Sequence, residues 1–185
     1  MSFKLPQVIS LCKWFCSGLD ARSFRYITCY ISCILANHIL EGVVAEDLLA
    51  IIKTLASKGW FSIKEYNHVL MKLDWSSSSE SGDKPKCVPD QKCNKLRGKA
   101  ISMWVHIRNW PVIMSTLVKD RKDSVLALGL KLNEVTERIT SPQFRDYEIQ
   151  LLEDSVIDYL DRRKKIRQNY PEFFNRPKPK HHYLR

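Results

Sequence analysis

Two pairs of cysteines, Cys12 with Cys16 and Cys29 with Cys33, are each spaced by four residues, so the members of a pair share one side of a helix. Four thiolates offered by two facing helices make a zinc-ligand set. Structural zinc sites more often space their cysteines two apart, however, and cysteine is a common small buried hydrophobe. Burial is the preferred reading, no metal or other cofactor is expected, and convergence of the four in space is what would reverse it. Cys87 and Cys93 flank Pro89, and a set that added His106 would follow no ligand-spacing rule.

Glu153, Asp154, Asp158 and Asp161 are placed for partial clustering on a helix, which a metal-dependent nuclease would need. Arg162 and Arg163 directly follow them, so an ordinary pattern of surface ion pairs accounts for the same residues. The chain has no glycine-rich phosphate loop, no nucleophile elbow and no His-Glu-x-x-His helix. A protein that is not an enzyme and has no small-molecule substrate is the expectation.

Charge is the stronger signal. Thirty Lys and Arg against 20 Asp and Glu leave +10, and the stretch 162–185, with nine basic residues and one acid, holds +8 of it. The rest reads as close to neutral. Arg162, Arg163, Lys164, Lys165 and Arg167 would occupy successive turns at one helix end, and Arg176, Lys178, Lys180, His181 and His182 continue the series beside Tyr183. Basic residues interleaved with aromatic ones suit DNA or RNA. Charge alone also allows an acidic protein partner or an anionic membrane surface, or a tail that serves only solubility.

These residues must be held by a scaffold. A chain of 185 residues with 44% hydrophobic and 27% charged content and only 6 Gly is long enough for a self-sufficient core and excludes collagen, bulk disorder and a disulfide scaffold. Lys13 interrupts the only early apolar run, so no secretory signal is expected and the six cysteines read as free thiols in a reducing, intracellular compartment. The nucleus suits a nucleic-acid partner. Residues 26–40 carry no formal charge, yet include Asn37 and His38 and fall short of the ~20 residues of a membrane span. A membrane role is not expected.

Apolar residues recur at helical spacing over 6–16 and 21–40, then over 45–58, where Leu48, Leu49, Ile51, Ile52 and Leu55 form a stripe and Gly59 sits at the C-terminal cap. Ser62 with Glu65 is a capping-box pattern that starts a helix ending near Asp74. Residues 76–93 form a polar loop. Helical periodicity resumes over 94–108 until Pro111 imposes a kink or a fresh start. Asp123 caps a helix over 124–139, and Ser141 with Pro142 opens the longest one, to 169, with Tyr147, Leu151, Ile157, Leu160 and Ile166 among its apolar positions. The chain after Pro171 should be extended. The expected architecture is all-α: an irregular array of about six to eight helices with an extended basic C-terminal tail. Its parts are 1–75, N-terminal helical; 76–93, loop or linker; 94–169, C-terminal helical; and 170–185, tail.

Several blocks, taken in order, carry a resemblance. His38-Ile39-Leu40-Glu41-Gly42-Val43-Val44 is similar to a stretch D-x-M-H-D-x-x-E-G-V, and Trp60-Phe61-Ser62-Ile63-Lys64-Glu65-Tyr66-Asn67 to aromatic-F-(S/T)-L-x-x-L-N. A polar loop then leads to Lys95-Leu96-Arg97-Gly98-Lys99-Ala100-Ile101-Ser102-Met103-Trp104. Pro171-Glu172-Phe173-Phe174 and Lys178-Pro179-Lys180-His181-His182-Tyr183-Leu184 are similar to a closing L-K-P-K-H-H-F-L-x-H-Y-P. From about residue 35 onward this succession resembles the middle to C-terminal helical region of animal CACTA-like DNA transposon transposase reading frames.

That resemblance implies descent from an enzyme whose catalytic core is an RNase H-like sheet holding metal through acidic residues, with a helical region inserted. Here the family's His and Asp before the E-G pair fall on Asn37 and His38, and its earlier Asp falls on Ile34; Glu41 remains. One glutamate cannot assemble a two-metal site. The expectation is a non-catalytic, transposase-derived helical protein with weak, sequence-tolerant nucleic-acid binding through its basic end. The alternative is a structural or protein-interaction module whose basic tail meets an acidic protein or a transposase partner chain.

Overall fold

Residues 35–73, 84–89, 93, 95–141 and 146–174 are described by the computed structural model, and among them all regular structure is helical. The all-α expectation holds for these residues. Cys12, Cys16, Cys29 and Cys33, the helices expected over 6–16 and most of 21–40, and Arg176, Lys178, Lys180, His181 and His182 lie outside them.

α1 (Leu35–Val44) is wound as a π-helix and passes without a break into α2 (Ala45–Ser57), because Val44 between them keeps helical angles of φ −61° and ψ −46°. The expected stripe of α2 is buried, but so is nearly every other side: Ala45 to Ile52 are all inside. A helix apolar on most faces belongs at the centre of a core. Its end is a Schellman turn, with Gly59 at φ +72° donating to Ala56 O at 2.9 Å and Trp60 N donating to Leu55 O at 3.3 Å. α3 (Ile63–Lys72) then opens on the expected capping box: Ser62 Oγ accepts from Glu65 N at 3.1 Å and Glu65 Oε2 from Ser62 N at 2.6 Å.

The next helix departs from expectation at both ends. α4 (Ala100–Ser115) starts later than 94 because Leu96 N is bonded to Ala45 O at 2.9 Å and Gly98 takes φ +157°, neither compatible with a helical turn there. It also runs through Pro111 without stopping. The carbonyl that Pro111 leaves without its helical donor, that of Ile107, accepts instead from Asn133 Nδ2 at 2.8 Å.

α5 (Ser124–Ile139) follows its sequence pattern, with Asp123 Oδ1 accepting from Val125 N at 2.7 Å and Leu126 N at 3.2 Å. Val125, Leu128, Leu132, Val135 and Ile139 are buried. In α6 (Asp146–Asn169) the expected apolar positions divide: Tyr147, Leu151 and Ile157 are exposed, whereas Leu160 is half-buried against the core and Ile166 is buried, and Leu152, Val156, Tyr159 and Arg163 face inward with them. Over 170–174 the chain makes a turn, and the rest of the tail expected to be extended lies outside the described residues. Phe173 N and Phe174 N both reach Tyr170 O at 3.3 Å, and Phe174 is buried.

α6 packs along α5, α5 along α2, and α1 spans α2 and α4. Residues on both sides of the 76–93 loop therefore fill one core, in which Leu48, Ile51, Trp110, Leu128 and Tyr159 are all fully enclosed.

Candidate nucleic-acid interface

α6 changes character along its length. Its middle turns carry Glu153, Asp154, Asp158 and Asp161, and its last turns Arg162 to Arg167, basic charge that the C-terminal end of the helix dipole favours. Asp154 and Asp158 are engaged as a hydrogen-bond acceptor and in surface ion pairs. Arg162 Nε donates to Asp158 Oδ1 at 2.7 Å, Lys131 Nζ lies 3.4 Å from Asp158 Oδ2, and Gln150 Nε2 donates to Asp154 Oδ1 at 3.2 Å. The Arg162 hydrogen bond holds the Asp158 carboxyl below its ordinary range. Glu134 of α5 is likewise lowered, first by its hydrogen bond from Lys131, and it accepts from Ser155 of α6 at 3.0 Å.

Within the basic run, Arg162, Lys164 and Lys165 are exposed and Arg167 is half-buried. Arg163 is different and leaves the candidate set. Its guanidinium is 3% exposed and forks onto Asp47 in the first turn of α2, Nε to Oδ2 at 2.6 Å and Nη2 to Oδ1 at 2.9 Å. Tyr159 donates a further hydrogen bond to Asp47 Oδ2, and the Phe174 ring lies 5.9 Å from Arg163 Cζ. Burial pushes the Tyr159 hydroxyl well above its ordinary pKa; Arg163 is raised too, since the hydrogen bond and charge of Asp47 outweigh the burial that would lower it. An arginine spent on a buried carboxylate has no reach to a phosphate.

Asp47 was not legible as a partner, because an acid in a first helical turn reads as a response to the helix dipole. What Arg163 and Asp47 do is lock the rotation of α6. Lys164 and Lys165 are thereby turned to solvent.

The remaining candidates are placed as follows. His106 is fully buried with Nε2 2.8 Å from the Tyr66 hydroxyl, so it does not form a ligand set with exposed Cys87 and half-buried Cys93. Among the described residues no three of His, Cys, Asp and Glu gather as metal ligands. Glu41, the acid of the E-G pair, accepts from Ala100 N at 2.9 Å and so caps α4 from across the fold. Trp110 is enclosed in the core, while Trp104 is half-buried, bonded to Thr140 Oγ1 at 3.2 Å and covered by Arg108 at 4.8 Å.

A groove of about 640 Å³ lies between α3 and the end of α4, lined by Trp60, His68, Val69, Leu117 and Lys119. Glu65 on its rim is committed to Ser62 N, and the Thr116 hydroxyl to Ile113 O at 3.0 Å. Among the described residues no helix is long and apolar enough to cross a membrane. A comparison with family models, curated proteins and solved structures returns no match.

Proposed function

We propose that this chain is a non-catalytic, transposase-derived helical protein that binds nucleic acid weakly and without strong sequence preference through the end of α6 and the residues beyond it. The observation that carries the reading is the Asp47–Arg163 lock, which turns Lys164 and Lys165 to solvent beside Arg162 on a rigid helix. Arg176, Lys178, Lys180, His181 and His182 extend the same charge along the chain. Cations held by a packed helix lose less side-chain and backbone freedom on meeting phosphates than cations on a loose chain.

The non-catalytic part rests on Glu41. Its Oε1 accepts from the Ala100 N–H, and Ile34, Asn37 and His38 stand where the resembled family has its other motif residues. With magnesium or manganese, the purified chain is expected neither to nick nor to join DNA. Metal-dependent cleavage that disappears in Glu41→Gln overturns this part.

Binding is tested by titrating a labelled duplex while salt is varied. Three or four phosphate contacts made by α6 contribute about −3 to −4 to the log-log salt slope, and Arg162→Gln/Lys164→Gln/Lys165→Gln should remove most of that contribution. These residues are exposed, so the variant should melt like the parent. Deleting the whole of 162–185 would be a poor test, because Arg163, Ile166 and Phe174 are part of the core. A slope that the triple variant leaves unchanged removes α6 from the interface.

A further inference from the structure

The +8 in 162–185 draws attention away from a second concentration of charge. Between Lys84 and Lys99 there are six basic residues and one acid, Asp90. Lys84, Lys86, Lys95, Arg97 and Lys99 are exposed, and none of them makes an ion pair with another described residue.

This segment is non-helical where described, yet it is fastened to the core at both ends. Asn67 of α3 grips Val88 through both main-chain groups, Nδ2 to Val88 O at 2.9 Å and Oδ1 from Val88 N at 2.7 Å. Leu96 N is bonded to Ala45 O at 2.9 Å, and Ala100 N to Glu41 at 2.9 Å. Pro85, Val88 and Leu96 point inward, so that Lys84 and Lys86 flank one buried residue and Lys95 and Arg97 another. Fixed apolar teeth on one side hold a row of cations out on the other.

We infer that the strap residues 84–89 and 95–99 form a second phosphate-contacting surface, acting on the same nucleic acid as the end of α6. The inference rests on the nucleic-acid reading proposed above and deepens it. Both are anchored to the first turn of α2: the strap is bonded to Ala45 through Leu96 N, and Asp47, two residues along the same turn, holds Arg163 of α6. The exposed face of the strap also has the chemistry of a nucleic-acid surface and not of a protein interface. Its described outward residues are cations and Cys87, with no exposed aromatic or aliphatic anchor, whereas protein interfaces are depleted in Lys and centred on such anchors.

The test uses the full chain and a fluorescein-labelled mixed-sequence DNA duplex of about 20 base pairs, with anisotropy read from about 50 to about 200 mM salt. The strap variant Lys84→Gln/Lys86→Gln/Lys95→Gln/Arg97→Gln should melt like the parent, lose roughly tenfold or more in affinity at the low-salt end, and reduce the salt slope by about 3. If its slope is unchanged while the α6 triple variant lowers it, the strap inference is overturned and the α6 reading stands. If only the strap variant lowers it, the strap stands and the α6 reading falls. No binding by the parent chain overturns both. Polyglutamate that displaces the duplex as well as unlabelled DNA of equal charge also overturns the inference, by making the strap a site for an acidic polypeptide.

Discussion

Asn133 of α5 donates its side-chain amide to the main-chain carbonyl of Ile107 in α4 at 2.8 Å, and Ile107 is four residues before Pro111. In an unbroken helix that carbonyl would accept from the N–H that proline lacks. A neighbouring helix thus completes the ladder of α4 with a side chain. Without it, a buried carbonyl would remain unpaired, and such a group costs about 1–3 kcal/mol.

Asn133→Leu should therefore lower stability by about 1–3 kcal/mol in urea denaturation, and should lower it much less in a Pro111→Ala background, where the helical donor is restored. The double-mutant coupling should reach about 1 kcal/mol or more. A coupling near zero would mean that the Asn133 amide is not what lets α4 pass through Pro111.

The Asp47–Arg163 pair should be asymmetric to mutation. Asp47→Leu alone leaves a buried guanidinium without its carboxylate, and Arg163→Met alone leaves the reverse; each should cost roughly 3–5 kcal/mol. Replacing both with apolar residues removes two buried charges together and should cost less than either single change. Thermal melts of the three variants decide it. Additive losses would show that the pair is not desolvated as its 2–3% exposure indicates.

His106 gives the fold an acid-sensitive term. It is fully buried against Tyr66, its Nδ1 has no hydrogen-bond partner, and burial lowers its pKa from 6.5 to about 4. The unfolded chain then binds the proton more readily than the folded one between those values, so stability rises with pH across that window. The contribution is complete above about pH 6.5 and shrinks by roughly 3 kcal/mol as pH falls to about 4. His106→Leu with Tyr66→Phe should flatten this slope in urea midpoints measured from about pH 4 to about pH 7. A slope that persists in the double variant assigns the proton uptake to other groups.

Gly129 in α5 is where Trp110 comes to rest. A Cβ there would lie 2.2 Å from Trp110 Cη2 and 2.5 Å from Cζ3. An alanine for glycine in a helix interior is ordinarily stabilising by about 1 kcal/mol. Here Gly129→Ala should instead destabilise by about 1–3 kcal/mol, through overpacking against a fully buried indole. Trp110→Leu opens space at that contact and should restore the favourable sign of Gly129→Ala, as read from urea midpoints of the four proteins.

Local chemistry was enough to read some elements from the sequence. Ser62 with Glu65, Asp123 before Val125 and Leu126, and Gly59 after α2 each satisfy the orphan groups of a helix end with atoms a few residues away. Their boundaries needed no knowledge of the rest of the fold. The apolar stripe of α5 was legible for the same reason, because one face is buried and the period is undisturbed. The basic character of 162–185 was equally plain.

Tertiary contacts decided what local signals left open or pointed the wrong way. Pro111 reads as a kink or a fresh start, and Asn133, 26 residues from Ile107, supplies the donor with which one helix spans it. Tyr147, Leu151 and Ile157 read as core, but they are exposed and α6 buries Tyr159 and Arg163, whose polar groups Asp47 accepts at the start of α2. Glu41 reads as a remnant acid and is a cap for α4. In each case a polar group is satisfied by a residue far along the chain, and hydrophobic periodicity carries no record of which distant partner that will be.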